Sequence, residues 1–154
     1  MTVALGQQLP DFSGQTTQGT FTLSEARGRI LVLYFYPKDN TPGCSTQASD
    51  FRTHYAAFQR AGARIVGVSR DSLKSHENFQ RKFELPFELI ADTDEAVCTL
   101  FGVIKMKKLY GKLVRGIERS TFLIDPAGVL VREWRGLKVP GHVTEVLAAV
   151  EALG

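Results

Sequence analysis

The chain has 154 residues, about the size of one ordinary domain; 44% are hydrophobic and 23% charged, which excludes disorder, collagen-like repeats and a coiled coil. Lys and Arg number 19 against 16 Asp and Glu, a net charge of +3 with a pI near 9.0. That mild excess compels no nucleic-acid partner.

Two cysteines are too few for a secreted disulfide scaffold or a cysteine-rich zinc site, and no Cys-x-x-Cys pair occurs. The start, Met1 to Gly6, lacks the basic region and apolar run of a leader. The longest apolar run, Ile30 to Tyr36, falls far short of the ~20 residues of a membrane span. The expectation is a soluble, cytoplasmic protein with one domain over residues 1–154.

Ile30 to Tyr36 is continuous, β-branched and aromatic, the pattern of a central strand covered on both faces, and Pro37 stops it. Between Thr41 and Gly62, the residues Cys44, Ala48, Phe51, Tyr55 and Phe58 recur at spacings of four and three, which predicts one apolar helical stripe capped by Gly62. Ala63 to Ser69 is a second buried strand. Strand, helix and strand in this order make a βαβ unit with parallel strands. Asp71 or Ser72 caps a next helix carrying Leu73, Phe79 and Phe83, which ends before Pro86.

Phe87 to Ile90 reads as a short strand. Asp92-Thr93-Asp94 caps a short helix with Val97, Leu100 and Phe101 inward. Thr121 to Ile124, the turn Asp125-Pro126-Ala127-Gly128, and Val129 to Val131 form a hairpin. Pro140-Gly141 opens a last helix with Val143, Val146, Leu147, Val150 and Leu153 on one face. The fold class is α/β, with a mixed central sheet flanked by helices.

The informative segment is Pro37-Lys38-Asp39-Asn40-Thr41-Pro42-Gly43-Cys44. Thr41 suits the N-cap and Pro42 the first helical position, so Cys44 falls in the first turn, just past the C-terminal end of a buried strand. Free N–H groups and the positive end of the helix dipole favour a thiolate there. Burial opposes it, so a reactive Cys44 needs further donors: the Thr41 hydroxyl and an arginine from elsewhere in the fold. The competing reading is a small buried hydrophobe, the usual fate of a free cysteine. The Thr-Pro-Gly-Cys setting at a strand-to-helix junction tips the balance to a reactive thiol.

Tyr34 to Cys44 resembles the active-site segment of the peroxiredoxins, most closely the bacterioferritin comigratory protein, or PrxQ, branch. The family motif Pro-x-x-x-Thr-x-x-Cys falls on Pro37, Thr41 and Cys44. Downstream, Gly116 to Asp125 resembles the strand that carries the family's active-site arginine, here Arg119. The resemblance runs from Gly6 to the final helix. It implies a thioredoxin-like fold and a thiol peroxidase that reduces hydrogen peroxide or organic hydroperoxides through a Cys44 sulfenic acid. Thr41 would hydrogen-bond the peroxide or the sulfur, Arg119 would hold the thiolate and the developing charge, and Pro37 would shield the site. No cofactor is implied, and no metal.

The resemblance also places a resolving thiol five residues beyond the reactive cysteine or on the following helix. Those positions hold Ser49 and Gln80. Cys98 is the only other thiol and reads as a semi-buried packing residue. The expected cycle uses one cysteine, with the sulfenic acid resolved by thioredoxin, glutaredoxin or glutathione. The alternatives are a two-cysteine cycle with Cys98 resolving, a thioredoxin-like disulfide oxidoreductase, and a catalytically silent binding module. The expected partners are a peroxide and a thiol reductant, without nucleic acid or membrane, on a monomer or weak homodimer.

The remaining candidates have plainer readings. His54, His76 and His142 fall in separate helices without acidic or cysteine partners at ligand spacing, and are expected at the surface or at helix edges. Lys105, Lys107, Lys108, Lys112 and Arg115 surround Tyr110-Gly111 and read as a solvated loop that could also steer anionic peroxides or an acidic reductase. Tyr34 and Tyr36 read as core, and Trp134 as core or edge packing.

Overall fold

The computed structural model describes residues 3–153. Seven strands form the main sheet: β1 (Ser13–Thr16), β2 (Gly19–Thr22), β3 (Ile30–Phe35), β4 (Ala63–Ser69), β5 (Glu88–Ala91), β8 (Ser120–Ile124) and β9 (Leu130–Arg135). Their order across it is β2-β1-β5-β4-β3-β8-β9. A separate two-stranded sheet joins β6 (Ile104–Leu109) to β7 (Lys112–Ile117). The helices are α1 (Pro42–Thr53), α2 (Tyr55–Arg60), α3 (Leu73–Phe83), α4 (Ala96–Leu100) and α5 (His142–Leu153). Among the described residues no helix is long and apolar enough to cross a membrane.

β3 lies at the centre, parallel to β4 and antiparallel to β8. Every β3 residue is buried, and alternate side chains enter two different cores. Leu31, Leu33 and Phe35 pack with Val97 and Cys98 of α4 and with Phe101 just beyond it. Val32 and Tyr34 pack with Cys44, Ala48 and Phe51 of α1, Phe58 of α2, Phe79 of α3 and Val146 of α5. The sheet therefore separates Cys44 from Cys98. Cys98 is wholly buried rather than semi-buried.

The single helix expected between Thr41 and Gly62 is two, broken at His54. There the His54 ring nitrogen and backbone N–H both engage the Asp50 carbonyl, at 3.0 and 3.2 Å, a side chain competing for a backbone acceptor. Two members of the expected apolar stripes are solvent-facing: Leu73 is 38% exposed and Leu153, at the chain's end, 44%. Ser72 caps α3 as expected, accepting from the Ser75 N–H.

Across β3, β4 and β5, Tyr34, Gly67 and Leu89 lie in register. A Cβ at Gly67 would stand 2.7 Å from Leu89 Cδ2 and 2.9 Å from Tyr34 Cζ, so the glycine gives the buried tyrosine its room. Gly67→Ala is expected to destabilise by about 1–3 kcal/mol through overpacking. Urea unfolding checks this, and an unchanged midpoint would show that the ring shifts at no cost.

Candidate active site

Thr41 is the N-cap of α1, with extended backbone (φ −86°, ψ 153°), and Pro42 takes the first helical position. The first intrahelical bond runs from Ser45 N–H to Thr41 O (2.9 Å). The Gly43 and Cys44 amides precede it and remain donors at the helix mouth. Thr41 does not cap with its side chain. Its hydroxyl donates to Lys38 O at 2.8 Å. With its proton so committed, the Thr41 oxygen is an acceptor, suited to a peroxide O–H and unable to donate to a thiolate at the same time.

Cys44 is 1% exposed. Arg119, in the short link between β7 and β8, reaches its sulfur with Nη2 at 3.4 Å. Nη1 of the same guanidinium donates to Gln47 Oε1 at 2.7 Å. The two contacts fix the plane of the fork, one prong on the sulfur and one on a neutral acceptor that leaves the positive charge uncancelled. Gly43 permits this approach, since a Cβ there would stand 3.1 Å from Arg119 Nη2. Fixed positive charge and free amides around one buried sulfur are placed to stabilise negative charge passed from it to a bound oxygen. The structure thus brings together Cys44 and Arg119, with Thr41 at the same helix end and Pro37 half-buried at the end of β3.

The loop from Pro37 to Thr41 is held from behind by a polar cluster. Asp39 accepts from Tyr36 OH (2.7 Å) and Ser75 Oγ (2.8 Å) and pairs with His76 Nδ1 (2.7 Å). His76 Nε2 donates to Ile90 O (2.8 Å), and Asp39 N–H donates to Asp71. Asp39, Asp71 and His76 lie close enough to share an ion, but these donor atoms are already hydrogen-bonded, and the cluster acts as a clamp on the loop. Asn40 beside it has a positive φ of 63°, which asparagine tolerates best among non-glycine residues.

These contacts correct the expectation for two of the histidines. His54 is half-buried at the edge of α1, as expected, while His76 and His142 are buried and partnered, His76 by an acid. The apolar pattern hides His76 and His142 because their partners come from distant segments. Gln47 is a further site residue that the pattern passes over; its only sequence signal is a polar residue on the buried face of α1, one turn after Cys44.

His142 Nε2 bonds Thr121 Oγ1 at 2.8 Å. Burial pushes its imidazole down to about 4, with Glu145 opposing the shift and the Arg119 charge adding to it. The unfolded chain therefore binds the proton first as pH falls below ~6.5. Stability from neutral His142 is complete above that pH and is lost on the way down to about 4. Between pH 7.5 and 5 the wild type should lose roughly 2 kcal/mol more than His142→Gln, read from urea midpoints. Equal losses would contradict a neutral buried imidazole.

Cys98 is held differently. Its N–H and that of Val97 donate to Asp92, at 2.7 and 3.0 Å. Burial, and next the Asp92 carboxylate, push the Cys98 thiol far upward. It is a poor nucleophile in this fold.

The AhpC/TSA family model matches residues 5–133. The chain belongs to that family. It is 56% identical over 131 residues to Peroxiredoxin Bcp of Xanthomonas campestris, covering 85% of this chain and 82% of the relative. It is 47% identical over 152 residues to Peroxiredoxin Bcp of Bacillus subtilis, covering 98% and 97%. Among solved structures, a cysteine-to-serine mutant of PrxQ from Xylella fastidiosa superposes with a TM-score of 0.93 at 43% identity, covering 99% of this chain and 98% of that one. A cysteine-to-serine mutant of Xanthomonas campestris Peroxiredoxin Q gives 0.91 at 49% identity over the whole of both chains. The fold is that of the thioredoxin-like peroxiredoxins. This peroxiredoxin is a thiol peroxidase of the Bcp/PrxQ type, with a peroxide as substrate and a thiol as reductant.

Proposed function

We propose that this peroxiredoxin runs a one-cysteine cycle on Cys44, acting on hydrogen peroxide and organic hydroperoxides. The observation that carries the reading is the placement of the two thiols on opposite faces of the sheet, with Arg119 on Cys44 alone. Support for organic substrates comes from a Xanthomonas campestris neighbour whose structures concern its alkyl peroxide reduction activity, at 49% identity and a TM-score of 0.90.

In this reading the Cys44 thiolate attacks the distal peroxide oxygen. The O–O bond breaks, the sulfur is oxidised to sulfenic acid, and the departing alkoxide or hydroxide takes up a proton as alcohol or water. Thr41 accepts from the peroxide O–H, and Arg119 with the free amides stabilises charge along the breaking bond. Pro37 limits water at the sulfur. An outside thiol then displaces water from the sulfenic acid to form a mixed disulfide, and a second thiol releases Cys44 and a disulfide. Cys44 is buried, so the first turn of α1 has to open for this step.

Ser49 and Gln80 stand where a resolving cysteine would, and Gln80 is instead tied to the Leu85 and Phe87 carbonyls. Such a cycle depends on a pool of reduced thiols, which favours the cytoplasm, and it suits a monomer or weak homodimer. The test is steady-state consumption of hydrogen peroxide and cumene hydroperoxide with dithiothreitol, following both reactants. Peroxide loss matched by one dithiol oxidised per peroxide is expected. No dithiol-dependent loss of either peroxide would overturn the reading.

A further inference from the structure

The β6–β7 hairpin is paired with no other strand of the described residues. Residues 104–117 hold Lys105, Lys107, Lys108, Lys112 and Arg115 and no acidic residue. They also hold four of the seven large exposed apolar side chains among the described residues: Met106 at 60%, Leu113 at 70%, Val114 at 43% and Tyr110 at 95%. It is an ordered hairpin, not the loop the sequence suggests. By register Met106, Lys108 and Leu113 share one face.

Its base is fixed and its outer part is free. Ile117 and Val103 are buried, Lys107 donates to Ile117 O, and Arg115 joins Arg70 on Glu95. Lys105, Lys108 and Lys112 are exposed and take part in no ion pair among the described residues. At the tip, Tyr110 (φ 51°) and Gly111 (φ 78°) form the two-residue turn. Asparagine is the favoured partner of glycine in such a turn, and a bulky residue with positive φ is strained. A tyrosine there costs stability and holds an aromatic ring out in water.

We infer that this hairpin docks the protein that reduces Cys44, through an acidic surface with an apolar centre around that protein's own thiol. The inference rests on the one-cysteine reading above, which requires an outside thiol. β7 runs through Glu118 directly into Arg119, whose Nη2 is on the Cys44 sulfur, so the base of the hairpin adjoins the site and its exposed tip lies about 20 Å further out along β7, a span one docked protein covers. Charge selects the occupant. The acid-free strand pair repels a second copy of itself and attracts an acidic protein, raising its encounter rate. The apolar side chains supply the contact that the lysines surround.

The test compares two reductant systems on three proteins. Peroxide turnover is measured with dithiothreitol, and separately with an acidic bacterial thioredoxin and with glutaredoxin, each kept reduced by its own NADPH system. The proteins are the wild type, the triple variant Lys105→Glu, Lys108→Glu, Lys112→Glu, and Tyr110→Asn. We expect the triple variant to lose roughly tenfold or more in kcat/KM for the protein reductant and to lose its salt dependence. Dithiothreitol turnover stays at the wild-type level. Tyr110→Asn lowers the same kcat/KM several-fold while its melting temperature holds or rises. Unchanged kinetics with the protein reductant overturn the inference, as does an equal loss with dithiothreitol or a wild type that neither protein reduces. Duplex DNA binding lost in the triple variant, with reductant kinetics unchanged, would overturn it in favour of nucleic acid. Absence of turnover with dithiothreitol in the wild type would instead defeat the one-cysteine peroxidase reading itself.

Discussion

Cys44→Ser is expected to remove peroxide reduction, a loss on the order of 10³-fold or more, as for other catalytic nucleophiles. Cys98→Ser should leave turnover with an outside thiol nearly intact. The asymmetry follows from where the fold puts two equally buried sulfurs. Cys44 lies at a helix mouth with a guanidinium 3.4 Å away. Cys98 lies across the sheet, beside a carboxylate, with its thiol pushed far upward. A disulfide needs Cα atoms within roughly 7 Å, and between these two residues stand the side chains of β3. Serine at position 98 replaces a wholly buried thiol with a smaller, more polar hydroxyl beside Asp92, so Cys98→Ala serves as its companion. Rates are compared on folded protein at equal concentration. A Cys98 variant of normal stability that fails with every thiol would sink the one-cysteine cycle.

Arg119→Lys should cost on the order of 10²- to 10³-fold in the second-order rate with hydrogen peroxide, measured by stopped flow. The ammonium keeps the charge and loses the fork. It cannot hold Gln47 Oε1 at 2.7 Å and stay on the sulfur with fixed direction, as the guanidinium does. Gln47→Ala tests the same geometry from the other end. The arginine keeps its charge, loses its anchor, and should give a smaller loss, about tenfold. A lysine variant as fast as wild type would mean that charge alone, without direction, suffices at this sulfur.

Much of this site is legible from residue order. The unbroken apolar run of β3, the proline that ends it, and Thr41-Pro42-Gly43 before Cys44 place a cysteine at a helix mouth by local rules. Those rules need no distant contact. Arg119 requires the family resemblance, because nothing local says that the end of β7 returns to α1. Gln47, His76 and His142 escape because apolar periodicity counts only apolar residues, and each owes its burial to a partner far along the chain.

The two hairpins escape for other reasons. β1 and β2 are four residues each, short and mostly polar. In β6 and β7, lysines interrupt the alternation, and both strands are largely exposed. Thr41 stands at the expected position with a different bond. Its hydroxyl finds the Lys38 carbonyl before it can turn to the helix or the sulfur.

The most direct test of the account treats reduced protein with one equivalent of hydrogen peroxide, with and without dimedone, and weighs the intact chain. A single dimedone adduct on Cys44 is expected, with Cys98 still a free thiol. A loss of two hydrogens and no adduct, mapped to a bond between Cys44 and Cys98, would contradict it.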